Sequence, residues 1–328
     1  MNIIAKHKEY RKISAALFFV LAVAIHFFAA PPDLFATNDS QKGFSTPKEA
    51  VKCLVASVKA DDLNKLIAIL GPGSEELIYS GDEVADRSGR KKFIKAYDKK
   101  NSIDLQSENT MILHIGPDNW PLPIPIVKKD GKWFFDIKEG KNEILNRRIG
   151  RNELHVMETL NAYVDAQHEY ATKDCNKTGN VVFAQKFVSS EGKCDGLYWE
   201  LKEGEEESPF GPLMARAADE GYGKVSDLSP FHGYYYKILK AQGKHAEGGA
   251  YDYVIKGKMI LGFALIAYPA EYGNSGVMTF LVNQEGIIYE KDLGKDTKKI
   301  AEAMKIFDPD KTWKKTEAEK INSRKSGK

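Results

Sequence analysis

Apolar residues recur at helical spacing through residues 143–174. Leu154, Met157, Leu160, Val164 and Ala171 fall on one face, and Tyr163, Gln167 and Tyr170 widen it. Glu153, Glu158, Asp165 and Glu169 lie mostly opposite. That spacing predicts an amphipathic helix, opening after Gly150, as the spine of the second half of the chain. Ahead of it, Ala50, Leu54 and Val58, then Leu63, Leu66, Ile67 and Leu70, predict two short helices. Ser45 or Thr46 caps the first, with Pro47 in its first turn, and Gly71-Pro72-Gly73 stops the second. Residues 80–87 read as a polar turn, with a helix around 90–97. Apolar alternation predicts strands at 110–115, 122–127 and 132–137. Lys128-Lys129-Asp130-Gly131 joins the last two as a hairpin. Beyond His232 the pattern is sheet: strands at 233–239, 249–255 and 262–268, a hairpin of 277–283 and 287–291, then a closing helix at 298–307. The fold class is therefore α+β, in two domains that each pack helices on an antiparallel sheet. Their expected limits are 44–142 and 143–312, with a charged, disordered tail at 313–328.

The first 36 residues break this pattern. Lys6, Lys8, Arg11 and Lys12 precede an apolar run from Ile13 to about Ala30, and Ala36 stands before a polar stretch. This is the layout of a secretory signal peptide, with residues 37–43 as a linker. Periplasmic or secreted localisation follows from cleavage. An inner-membrane anchor formed by residues 13–30 is the alternative, and is the only membrane contact expected. The formal charge of +2 falls to zero once residues 1–36 are removed. No sustained basic stripe lies outside the termini, so no nucleic-acid partner is expected. Of three cysteines, Cys175 and Cys194 flank one polar loop and are expected to form a disulfide. Closing a loop of about 20 residues contributes roughly 3 kcal/mol in the chain-entropy account. Cys53 sits among apolar helix positions and reads as a small core residue.

Candidate chemistry is sparse. His232 precedes a glycine and three tyrosines at the start of a strand, and reads either as a general base in a cleft or as a histidine bonded to backbone. Asp82, Asp86 and Arg87 form a small charged group, suited to a cation or basic ligand or simply to a solvated turn. Arg147, Arg148 and Arg151 gather at the wrong end of their helix for its dipole. They therefore face either acidic groups of the first domain or an anionic ligand at the junction. Dense tyrosines in the second half would stack on sugars if exposed in a row, and would be core if alternate. No metal-ligand spacing, phosphate loop or nucleophile motif is present, so no metal or cofactor is expected. The pattern favours a non-catalytic binding or assembly module of the envelope, with an envelope protein or a glycan as partner. The alternative is an envelope hydrolase or small-ligand enzyme using His232 at the domain junction.

Three resemblances add to this. Helices followed by an antiparallel sheet that ends in a Trp133 hairpin resemble the nuclear-transport-factor-2-like cone, a fold in which a pocket often lies between helix and sheet. Asn152-Glu153, Ala166-Gln167-x-x-Tyr170, Gly233-Tyr234-Tyr235, Ala267-Tyr268-Pro269 and Gly276-x-x-Thr279-Phe280 resemble the head of type IV pilin-like proteins. The arginines at 147, 148 and 151 depart from the apolar stem of a pilin. At a finer level, nearly the whole chain resembles a bacterial exported family known as domain of unknown function 2950. The residues that carry this are Asp118-x-Trp120-Pro121-x-Pro123-x-Pro125, Arg147-Arg148-Ile149-Gly150-Arg151-Asn152-Glu153-Leu154, Asp195-Gly196-Leu197-Tyr198-Trp199 and His232-Gly233-Tyr234-Tyr235. That resemblance implies export and a two-part architecture, and no reaction.

Overall fold

The structure is a computed structural model. It describes residues 41–173, 179, 181–201, 206–223 and 229–316. The expected signal segment and Cys175 lie outside the described residues. Among those described, no helix is long and apolar enough to cross a membrane.

The first half begins with α1 (Pro47–Lys59), α2 (Leu63–Leu70), α3 (Glu75–Ile78) and α4 (Glu83–Lys99). Thr46 caps α1 by accepting the Glu49 N–H, while Glu49 accepts the Ser45 N–H, a reciprocal pair that satisfies two otherwise orphaned donors. Asp62 caps α2, and Gly71, at φ 90°, ends it. The stretch expected as a turn at 80–87 is largely the start of α4, capped by Asp82. This helix buries none of its 17 residues fully, so it lacks the apolar stripe that marks a helix in sequence. Five strands follow: β1 (Asn101–Ser107), β2 (Thr110–Ile115), β3 (Trp120–Pro121), β4 (Ile126–Lys129) and β5 (Lys132–Phe135). They pair antiparallel in the order β1-β2-β4-β5, with β3 on β2. Asp130 and Gly131 both have positive φ, which gives the β4–β5 hairpin the backbone twist its strands need. The helices pack on this sheet through a core that includes Val51, Leu54, Leu66, Leu113, Ile126 and Phe135.

The long helix α5 runs from Ile137 to Lys173, about 55 Å at helical rise. It begins well before Gly150, which lies in its interior. Its first turns belong to the first core through Ile137, and its later turns to a second core through Val156, Leu160, Tyr163 and Tyr170. Leu154, expected on the buried face, is 57% exposed. Gln167 is fully buried, and its side-chain amide both donates to the Ala184 carbonyl and accepts the Ala184 N–H, each at 2.8 Å.

After α6 (Gly211–Asp219) come β6 (Tyr234–Leu239), β7 (Ala241–Gln242), β8 (Tyr251–Asp252), β9 (Val254–Ile255), β10 (Lys258–Met259), β11 (Ala264–Pro269), β12 (Met278–Asn283), β13 (Tyr289–Asp292), α7 (Thr297–Ala303) and β14 (Lys314–Lys315). The main sheet has the order β14-β13-β12-β11-β6 and is antiparallel throughout. Every residue of β11 is buried, because α7 packs on it and the Tyr163 hydroxyl of α5 reaches the Ala264 carbonyl. Tyr234 and Tyr236 are buried and Tyr235 is not, so alternate tyrosines of β6 are core rather than an exposed row. The tail expected from residue 313 is ordered at its start. Trp313 joins the second core, β14 pairs with β13, and the Thr316 N–H donates to the Ile288 carbonyl. The class is α+β, helices on antiparallel sheets in both halves.

Candidate functional site

Two constellations meet where α5 passes between the halves. The first is a pocket of about 370 Å³ within the first half. Its apolar wall comes from Leu54 and Val58 of α1, Leu66 and Leu70 of α2, and Phe93 of α4, closed by Leu122 and Ile124 from the sheet side. Its polar rim is Asp86 and Arg90 of α4 with Arg147, Arg148 and Arg151 of α5. Size and make-up, apolar walls with a few convergent polar groups, are those of small-molecule sites. Gly89 also lines it, and a methyl group placed there would meet nothing within 4 Å.

The rim charges are differently committed. Arg148 is anchored: one terminal nitrogen donates to the Glu76 carbonyl and to Asn274 Oδ1, the other to the Leu77 carbonyl. A cation is thus set against carbonyls of α3 and a side chain of the second half. Burial presses its pKa down, because its direct partners are neutral oxygens. Burial likewise raises the Asp86 pKa, although its carboxylate accepts the Ser80 N–H. Arg147 pairs with Glu143 at 2.6 Å and lies over the Trp120 ring, and Arg90 pairs with Asp61 at 2.7 Å. Arg151 is exposed and makes no ion pair with a described residue.

The second constellation is a buried knot centred on Asp82, which is 1% exposed. One carboxylate oxygen accepts the Ala85 N–H as the cap of α4, and the other accepts the Tyr222 hydroxyl and the Gly233 N–H, both at 2.8 Å. This carboxylate therefore ties the start of α4 to the start of β6. Next to it, His232 Nδ1 lies 3.0 Å from His155 Nδ1 of α5, and His232 Nε2 lies 3.2 Å from Glu220. One ring donates to the other, so the pair cannot hold both protonated rings and keep its bond. Burial first, then His155 and the cations Arg216, Lys92 and Arg151, push the His232 pKa down to about 4. Burial lowers that of His155 as well. His232 carries φ 51°, a left-handed conformation for a side chain with a Cβ, immediately before Gly233 at φ 78°. No metal-binding group of three ligands occurs among the described residues.

Of the residues singled out from sequence, the structure gathers Asp86, Arg147, Arg148 and Arg151 around one pocket. Asp82 lies in the buried knot rather than in a solvated turn, and Arg87 is exposed and lines no part of the pocket. His232 does have a carboxylate within reach, but it does not line the pocket either. Of the expected Cys175–Cys194 pair, Cys175 lies outside the described residues, and the Cys194 carbonyl accepts the Tyr170 hydroxyl. Sequence reasoning missed Glu220, His155 and Tyr222 as partners, because they are brought to the knot from other parts of the chain. It missed Gly89, whose only signal is a glycine inside a helix.

No curated protein and no solved structure matches the chain. A family described as protein of unknown function, DUF2950, matches residues 41–316, which takes in both cores, the arginine-rimmed pocket and the Asp82 knot. The chain belongs to the DUF2950 family.

Proposed function

We propose that this chain is an exported, non-catalytic binding protein, and that the arginine-rimmed pocket of its first half is the ligand seat. The observation that carries the reading is the pocket itself: about 370 Å³ of apolar-walled space inside a helix-and-sheet shell, opening at a charged rim. Gly89 supports it. A glycine within a helix costs about 1 kcal/mol relative to alanine, and no neighbour forbids the alanine here. What Gly89 preserves is space on the pocket wall. Export rests on the basic, apolar and small-residue order of the first 36 residues.

The enzymatic alternative has one observation in its favour, the 3.2 Å approach of His232 to Glu220. It lacks a cleft. His232 is 14% exposed at its side chain, and both ring nitrogens are engaged, one by His155 and one by Glu220. The knot holds the two halves of the chain together, which is a structural task.

The test is titration of the purified chain with N-phenyl-1-naphthylamine, a neutral dye that brightens in apolar surroundings. Saturable one-to-one enhancement is the expected result. A linear, non-saturating rise would remove the pocket as a seat. Cell fractionation tests the other part: the chain should lie in the periplasm or medium without residues 1–36, and an intact cytoplasmic chain would refute export.

A further inference from the structure

We infer that the pocket takes a single-chain anionic amphiphile, a fatty-acid-type carboxylate, with its head at Arg151 and Arg147 and its hydrocarbon tail between the helices and the sheet. This deepens the ligand-seat reading and rests on it. Four arginines and one aspartate line the pocket. Arg90 is matched by Asp61, and Arg148 is consumed by the Glu76 and Leu77 carbonyls and Asn274. Arg151 remains at the mouth with no ion pair among the described residues, and Arg147 shares only the half-exposed Glu143.

These two arginines are one helical turn apart, so their Cβ atoms are about 5–6 Å apart on one face of α5. Like charges at that spacing destabilise a helix. Arg151 also acts on its buried neighbour Arg148, helping to press the Arg148 pKa down. An anion seated between Arg147 and Arg151 relieves both repulsions and accepts charge-assisted hydrogen bonds. Trp120, under the Arg147 guanidinium and 38% exposed, provides an apolar lip beside the head position. Past the rim, Leu54, Val58, Leu66 and Phe93 offer only hydrocarbon, Asn152 Nδ2 donates to the Ser275 carbonyl, and the Ser80 hydroxyl accepts the Asp82 N–H. A ligand polar at both ends would therefore leave its inner end unsatisfied. The chemistry demanded is one charged end and one apolar end.

Displacement of the dye from the full chain by dodecanoate, dodecanol and dodecylammonium, all at submicellar concentration, tests the inference. Dodecanoate should bind at least tenfold tighter than dodecanol, and dodecylammonium weakest. Arg151→Ala should cut the acid-over-alcohol preference at least threefold, Arg147→Ala/Arg151→Ala should erase it, and unchanged far-ultraviolet circular dichroism shows that both variants are folded. Arg151→Lys should retain part of the preference. Equal affinities for acid and alcohol, or an acid preference that survives undiminished in Arg147→Ala/Arg151→Ala, would overturn the anionic head while leaving the seat intact. If none of the three displaces bound dye, the tail placement is overturned. If the dye itself never binds, the ligand-seat reading fails with it.

Discussion

Removing the Asp82 carboxylate should cost this protein several kcal/mol. The side chain is buried and accepts three hydrogen bonds, from the Ala85 N–H, the Tyr222 hydroxyl and the Gly233 N–H. Loss of a helix cap typically costs about 1 kcal/mol. Each buried donor left without an acceptor costs about 1–3 kcal/mol. With the cap and two stranded donors, Asp82→Ala loses about 3–7 kcal/mol, against a total stability of about 5–15 kcal/mol for folded domains. Asp82→Asn keeps the shape and one acceptor oxygen, so it should lose roughly half as much. Urea unfolding followed by far-ultraviolet circular dichroism reads both values. Tyr222→Phe completes a double-mutant cycle, in which a coupling of at least about 0.5 kcal/mol with Asp82 is expected for direct contact. A loss below about 1 kcal/mol for Asp82→Ala, or no coupling to Tyr222, would show that the knot does not tie α4 to β6.

Three further results are expected. The folded His232 holds its pKa near 4 against 6.5 for the free side chain. Above pH 6.5 both states are neutral and nothing is lost. Between pH 6.5 and about 4 the unfolded chain takes up a proton that the folded chain refuses, so stability falls as pH falls, by of order 2 kcal/mol. His232→Gln should show a shallower fall over that window in pH-dependent urea melts, and a slope equal to that of the parent would refute the assignment. Gly140→Ala should destabilise by about 1–3 kcal/mol, since a Cβ there would lie 2.2 Å from the Pro123 carbonyl oxygen. Gly150→Ala, with open space at the same test position, should instead stabilise by about 0.5–1 kcal/mol. Thermal melts of the pair check both signs.

Much of the architecture was legible because burial imposes periodicity. The α5 face from Leu160 to Tyr170, the Asp130-Gly131 turn and the apolar run of β11 each carried a local pattern that packing then used. Elements without such a pattern were lost. α4 buries no residue fully, so only its later part, around 90–97, was expected, and its start was read as a turn. β1 is mostly exposed and polar, and it is held by its ladder to β2 rather than by side-chain burial. The start of α5 carries Gly140, a poor helix former, kept because Pro123 and Ile124 pass so close to it. The site was half legible. The arginines at 147, 148 and 151 stood out because they were read at the start of a helix, against its dipole; α5 in fact starts at Ile137 and carries them in its interior, and the structure sets all three at one pocket. The Asp82 knot was not readable, because its partners lie 140 and 151 residues away and only the fold brings them together. Leu154 shows the reverse error: it fits the helical period but meets no neighbour that buries it.

The claim that the pocket is a ligand seat is tested most directly at Gly89, where a side chain fills the space without touching the structure behind it. Dye affinity is compared between the parent chain, Gly89→Ala and Gly89→Phe. The account predicts that Gly89→Ala binds measurably more weakly, since its methyl group takes up space on the pocket wall, and melts slightly higher, since alanine improves the helix by up to about 1 kcal/mol. Gly89→Phe should lose at least tenfold in affinity without a lower melting temperature. Unchanged dye affinity in a folded Gly89→Phe would contradict the account.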